Sequence, residues 1–166
     1  FSSEAEARAA TMFNVTLADG GSTVVLGANN DTITGGSGDD TITAGAGIDT
    51  LDGGLGDDTF LILDADDDGT GESYTGGGGT ADKIDINTTE ALNLSNDTIA
   101  TVEVLDLASG SVNNAGVTVT AAQFAGFGTI TADANDTIII NTLTGQTVAA
   151  SAAVDKFKFA AGDAAV

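Results

Sequence analysis

A large apolar residue recurs every nine positions, at Ile33, Ile42, Leu51 and Phe60, and an aspartate stands two places before each, at Asp31, Asp40, Asp49 and Asp58. The units carrying this phase read LGANNDTIT, GGSGDDTIT, AGAGIDTLD and GGLGDDTFL, without a break from Leu26 to Leu61. Such a period outranks residue-by-residue propensity, because each unit is one structural element that cannot bury its apolar side chain alone. The half after each aspartate predicts a short strand whose central residue points inward, since alternate side chains face opposite sides. The glycine-rich half predicts a sharp turn. Two units then close one coil of a solenoid. Units one and three, and two and four, become neighbours along its axis, and the four apolar side chains stack into a thin core.

The pattern loosens but does not vanish downstream. Gly77 to Asp85 reads as a degenerate fifth unit with Thr80 in place of its second-half glycine and with Asp82 and Ile84 in phase. From there, runs rich in Thr, Val and Ile predict strands at residues 84–86, 102–107, 117–120, 129–131, 137–141, 147–149 and 156–159. Asn, Asp and Gly, never Pro, fill the turns between them. Asn30-Asp31-Thr32-Ile33 recurs as Asn96-Asp97-Thr98-Ile99 and as Asn135-Asp136-Thr137-Ile138. This spacing fits a continuing solenoid better than a β-sandwich, which stays as the alternative. Thr120 to Gln123 is a capping box that predicts one short helical turn, ended by Gly126 or Gly128. Ser3 to Met12 reads either as a short capped helix or as an end that orders only against a neighbour. The expected fold class is all-β, a parallel β-roll or β-solenoid with or without that N-terminal helix. Three parts are expected: an N-terminal segment with a leading strand (1–25), the repeat-bearing β-roll with an acidic loop (26–85), and a solenoid-like continuation (86–166).

The same repeats carry the chemistry. Glycine turns on successive coils bring backbone carbonyls and aspartate carboxylates together, an oxygen-only environment that suits a hard cation with six to eight ligands, Ca2+ rather than Mg2+. The pattern G-G-x-G-x-D-x-U-x resembles the calcium-binding nonapeptide repeats of the RTX family of bacterial secreted proteins, densely over the 36 residues from Leu26 to Leu61. The resemblance implies several Ca2+ ions held by Asn29, Asp31, Gly36, Gly38, Asp40, Gly45, Gly47, Asp49, Gly54, Gly56 and Asp58, with Asp82 added from the fifth unit. In that arrangement Asp49 is expected to lie between the first repeat and the fifth unit. Asp64, Asp66 and Asp68, followed by Gly69, form the first half of an EF-hand-type loop, but Thr75 stands where the bidentate Glu belongs. A calcium loop on a hairpin and a solvated acidic turn are both open there. Downstream, VEVLDL and VTVTAAQFAGF are loosely similar to segments of RTX-type surface-layer proteins.

Charge narrows the function. The chain has 25 acidic and 4 basic residues, a formal charge of −21, and residues 9–82 hold 14 acids and no base. Nucleic acid is excluded as a partner, because phosphate contacts need Lys and Arg, and an anionic membrane surface is disfavoured likewise. No apolar run approaches the roughly 20 residues of a membrane span. Without His or Cys, the usual nucleophile–base pairs and zinc sites are missing, and the paired acids are already accounted for as metal ligands. Neither an enzyme nor a small-molecule substrate is expected. With 42% hydrophobic residues the chain is too apolar for permanent disorder, so folding on calcium is the expected compromise. Two functional readings follow: a secreted or cell-surface bacterial structural subunit (surface layer, matrix or filament) that self-associates into a homo-oligomer or polymer, or a folding and secretion module of a larger RTX protease, lipase, toxin or adhesin. The chain starts at Phe1, without Met or a signal segment, which reads as a processed product or a fragment.

Overall fold

The computed structural model describes residues 12–63, 71–107, 116–132 and 136–141, together with the backbone of 157–159. The expected N-terminal helix, the Asp64–Asp66–Asp68 loop and the strand at 147–149 lie outside the described residues. Those described form a parallel β-solenoid of about five turns. Its strands are β1 (Asn14–Thr16), β2 (Thr23–Val25), β3 (Thr32–Thr34), β4 (Thr41–Thr43), β5 (Thr50–Leu55), β6 (Thr59–Ile62), β7 (Ser73–Gly78), β8 (Lys83–Ile86), β9 (Ala91–Asn93), β10 (Thr98–Ala100), β11 (Val104–Asp106), β12 (Gly116–Thr120), β13 (Thr129–Thr131), β14 (Ile138–Asn141) and β15 (Phe157–Phe159), with one helix, α1 (Ala121–Gly126). The solenoid, not the sandwich, is the architecture.

Three sheets run along the axis. The first has the order β1-β3-β5-β7-β10, the second β2-β4-β6-β8-β11-β13, and the third β9-β12-β14-β15. Every pairing is parallel, and in the repeats the partners lie 18 residues apart, Ile33 on Leu51 and Ile42 on Phe60. That register is what two nine-residue units per coil demand. A one-residue slip would turn the apolar set to solvent. The inward residues form two columns: Val15, Ile33, Leu51, Tyr74 and Ile99 in the first sheet, and Val24, Ile42, Phe60, Ile84, Leu105 and Ile130 in the second. Phe60 meets Tyr74 edge-on across the core at 5.6 Å between centroids, a favoured aromatic geometry. Val15 and Ile99, at the ends of the first column, are half-buried, and full burial of each of the others contributes on the order of 1.5–3 kcal/mol.

Downstream of β8 the coil changes shape. The chain does not turn straight back but adds β9, and the spacing between stacked residues grows from 18 (Thr32 to Thr50) to 25 (Ser73 to Thr98). Leu92 and Leu94 are buried, and Leu92, Val117 and Ile138 stack into a third apolar column. The flat two-sided roll thus becomes a three-sided coil wherever the sequence supplies a third apolar segment. Helix α1 forms as expected, with Thr120 and Gln123 making the reciprocal capping box. The Gln123 amide also donates to the carbonyls of Leu94 and Asp97 (2.6 and 3.0 Å), so the helix caps the coil below it. Accordingly the first sheet ends at β10, while the second continues to β13.

The fifth unit differs from expectation. Gly77 pairs with Gly54 and Gly78 with Leu55, while Gly79 packs on the Gly56 carbonyl. Gly79, not Thr80, therefore holds the glycine place, and the unit begins at Gly76. The extra residue is absorbed at Thr80 and Ala81, whose N–H groups both donate to Asp57 (2.9 and 3.1 Å).

Candidate metal centre

The turns stack two ladders of carboxylates along the solenoid. In one, the N–H of Ser22 donates to Asp40 (2.6 Å), that of Asp40 to Asp58 (2.7 Å), that of Asp58 to Asp82 (2.7 Å), and that of Asp82 to Glu103 (3.0 Å). In the other, Phe13 donates to Asp31 (2.7 Å) and Asp31 to Asp49 (2.6 Å). Its next places are held by Glu72 and Asp97, as the backbone bonds from Ser73 to Asp49 and from Thr98 to Glu72 require. Asp31, Asp40, Asp49, Asp58, Asp82, Asp97 and Glu103 thus each spend one oxygen on the backbone of the preceding coil, which fixes its direction, while Glu72 accepts the Tyr74 hydroxyl. Asp31, Asp40, Asp49, Asp58, Glu72 and Asp82 are all at most 2% exposed.

The remaining oxygens and the glycines define where a cation fits. Oδ2 of Asp58 and of Asp82 is buried with no hydrogen-bond partner. A Cβ built on Gly53 would collide with the Asp58 side chain (2.7 Å to its Cγ), and one on Gly76 would stand 2.5 Å from Asp82 Oδ2. Gly36, Gly45, Gly47, Gly54 and Gly56 each face a carbonyl of the coil below, that of Ala18, Gly27, Asn29, Gly36 and Gly38 respectively, while Gly38 abuts the Gly20–Gly21 backbone. The predicted residues of the repeats, Asn29 included, are therefore gathered in the inter-coil turns as proposed ligands. Every donor there is oxygen, which fits a calcium ion. Among the described residues no group of three acidic side chains is gathered as a metal cluster. Asp64, Asp66 and Asp68 lie outside the described residues.

One pairing differs from the sequence expectation. The fifth unit's Asp82 stacks on Asp58, whereas Asp49 is followed by Glu72. β7, which Glu72 precedes, pairs with β5, so Glu72 takes that place. Glu72, Asp97 and Glu103 were not expected as ladder members. Their signal is an acid two places before a buried or half-buried apolar residue, as in Glu72-Ser73-Tyr74, Asp97-Thr98-Ile99 and Glu103-Val104-Leu105.

Electrostatics follow from the stacking. Burial, with the charges of Asp40, Asp82 and Asp39, raises the Asp58 carboxyl above its usual range against the lowering effect of the Asp40 N–H. Burial likewise raises Asp82, helped by Glu103, Asp57 and Asp39 and opposed by the Asp58 N–H. Lys83 is the one basic side chain among the described residues. It lies on the outer face of the second sheet between Asp85 (2.8 Å) and Asp106 (3.6 Å). Burial works against its charge, but the bonds and charges of Asp85 and Asp106 outweigh it and raise its pKa. The raised carboxyls make a pH prediction. The folded metal-free chain takes up protons at Asp58 and Asp82 at higher pH than the unfolded chain. Its stability therefore rises as pH falls from neutrality through the raised values towards about 4, where the unfolded carboxylates titrate. With calcium the sign reverses, since protons compete with the ion. Denaturant melts in calcium, and the β content of dialysed protein without it by far-UV circular dichroism, each followed at several pH values, check this. Parallel trends in the two series would refute it.

A parallel β-solenoid with oxygen-lined inter-coil turns is a β-roll by class. Residues 25–60 match the family model of the RTX calcium-binding nonapeptide repeat, in four copies, and RTX repeats in a β-solenoid form a calcium-binding structural module. The match covers about a fifth of the chain, the part in which the nine-residue phase is unbroken. No curated protein and no solved structure matches the chain.

Proposed function

We propose that this protein is a calcium-binding structural subunit of a bacterial extracellular assembly, folding on Ca2+ and then associating with copies of itself. The observation that supports it best is the pair of buried carboxylate ladders, a charge arrangement that requires cations from the medium. Asp31, Asp40, Asp49, Asp58 and Asp82, with the carbonyls of the glycine turns, would hold the ions. Bound calcium supplies the positive charge that lets adjacent coils close. RTX repeat proteins are typically secreted, and cell exteriors are where calcium reaches the affinity range of such sites, around 10⁻⁴ to 10⁻³ M. Among the described residues no helix is long and apolar enough to cross a membrane. Among the described residues the second sheet ends at β2 and β13, and the end strands of a solenoid are the usual template for further strand pairing.

Size-exclusion chromatography with and without calcium tests the assembly. Oligomers are expected only with the ion, and deleting residues 1–13 or adding Lys within residues 155–159 is expected to weaken them without abolishing calcium binding. A strict monomer in calcium would favour the other reading, a folding module of a larger RTX protein. Assembly by both variants at the parent's level would move the contacts to the solenoid's flank.

A further inference from the structure

We propose that a calcium site lies outside the four matched repeats, in the gap between the Gly76–Asp82 turn and the Thr101–Glu103 turn, with Asp82, Glu103 and the Thr101 carbonyl among its donors. This rests on the reading that the repeats themselves bind calcium, and extends it to a coil that carries no glycine consensus. Within the repeats, the space above Gly35 is bounded by Asp40 Oδ2 and by the Gly53 carbonyl of the next coil. Above Gly76 the same two places are taken by Asp82 Oδ2 and the Thr101 carbonyl. The cradle is thus rebuilt with a threonine where the consensus would put glycine.

Three observations say the rebuilt cradle is aimed at a ligand. Asp82 is 1% exposed, and its Oδ2, directed into the cradle, has no hydrogen-bond partner. Burying an ionised oxygen in that state is costly unless a cation meets it. Glu103 continues the ladder by accepting the Asp82 N–H, so a second carboxylate is anchored beside the first. Thr101 has φ of 51°, in the left-handed region, a conformation that costs a non-glycine residue of order 1 kcal/mol and persists only where the surroundings impose it. Its hydroxyl accepts the Gly77 N–H (2.8 Å), which locks the turn that presents the carbonyl.

Two residues of the site also border open space, and among the described residues no basic side chain is free to occupy it. Thr101 and Glu103 line a cavity of about 440 Å³ beneath α1. Lys83, the one basic side chain among the described residues, is engaged on the sheet's outer face by Asp85 and Asp106. An all-oxygen set with two carboxylates selects a hard divalent ion over a transition metal.

Calcium titration calorimetry on the metal-free full chain tests the assignment, comparing wild type with Glu103→Gln and Glu103→Asp. Gln keeps an oxygen for the Asp82 N–H but removes the charge, and Asp restores the acid found at this place in the repeats. Glu103→Gln is expected to bind one ion fewer, or to bind one at least about tenfold more weakly, the lower bound for losing even an outer-shell partner. Glu103→Asp is expected to retain it, with both variants β-rich in saturating calcium. Overturning results are a Glu103→Gln protein that binds as many ions as tightly as wild type, or one that fails to fold at saturating calcium, which would make Glu103 purely structural. A wild type that binds no calcium would remove the reading of the repeats as well.

Discussion

Far-UV circular dichroism of the metal-free chain is expected to be coil-like at neutral pH and to become β-rich as calcium is added. The midpoint is expected near the 10⁻⁴ to 10⁻³ M range typical of extracellular modules, roughly, and magnesium at equal concentration should do far less. The reason lies in the stacking. Carboxylates on adjacent coils sit about one strand spacing apart, roughly 4.8 Å. Two unit charges at that distance repel by about 3 kcal/mol at an effective dielectric near 20. With several such neighbours in each ladder, repulsion rivals the whole net stability of a typical domain, about 5–15 kcal/mol. A spectrum already β-rich in chelator and unmoved by calcium would defeat the coupling of folding to the ion.

Gly35→Ala is expected to be the most damaging small substitution in the roll. Its Cβ would overlap the Gly53 carbonyl of the next coil and stand 3.0 Å from Asp40 Oδ2. Neither neighbour can withdraw without breaking the parallel ladder, so a loss of about 3 kcal/mol or more is expected, at the severe end for a point change. Gly126→Ala is the matched control. Nothing lies within 4 Å of its added Cβ, and alanine's helix propensity should gain up to about 1 kcal/mol at the end of α1. Denaturant melts in saturating calcium compare the two. If both melt with wild type, the coil stacking is wrong.

What the sequence made legible is what repeats strictly. The nine-residue phase was enough to place Ile33 on Leu51, Ile42 on Phe60, and the aspartates in the turns, because period, strand alternation and coil length impose one another. The capping box at Thr120 and the strand at 129–131 were equally readable, being local. The third sheet was readable only in part: β12, β14 and β15 fall on expected strands, but β9 was not expected, nor was β10 of the first sheet. Each is three residues long, and what makes it a strand is the partner one coil away, not its own composition. The exchange of Asp49 for Asp58 as neighbour of the fifth unit was hidden for a related reason, since an insertion of unknown path shifts which side of the coil the chain reaches first. Glu72, Asp97 and Glu103 were not expected in the ladders although the acid-to-apolar spacing is intact: around Asp97 and Glu103 the glycines that advertise a turn are missing, and the glycines near Glu72 fall out of the nine-residue phase.

The chain has one tyrosine and no tryptophan, and that tyrosine lies in the core with its hydroxyl bonded to the Glu72 carboxylate. Its tyrosine absorbance and emission bands therefore come from a single phenol, 2% exposed, hydrogen-bonded to one rung of a ladder. Phenol emission and near-ultraviolet dichroism respond to the ionisation and ordering of such a partner. This protein thus contains its own optical gauge at one known depth along the axis, readable without label or substitution.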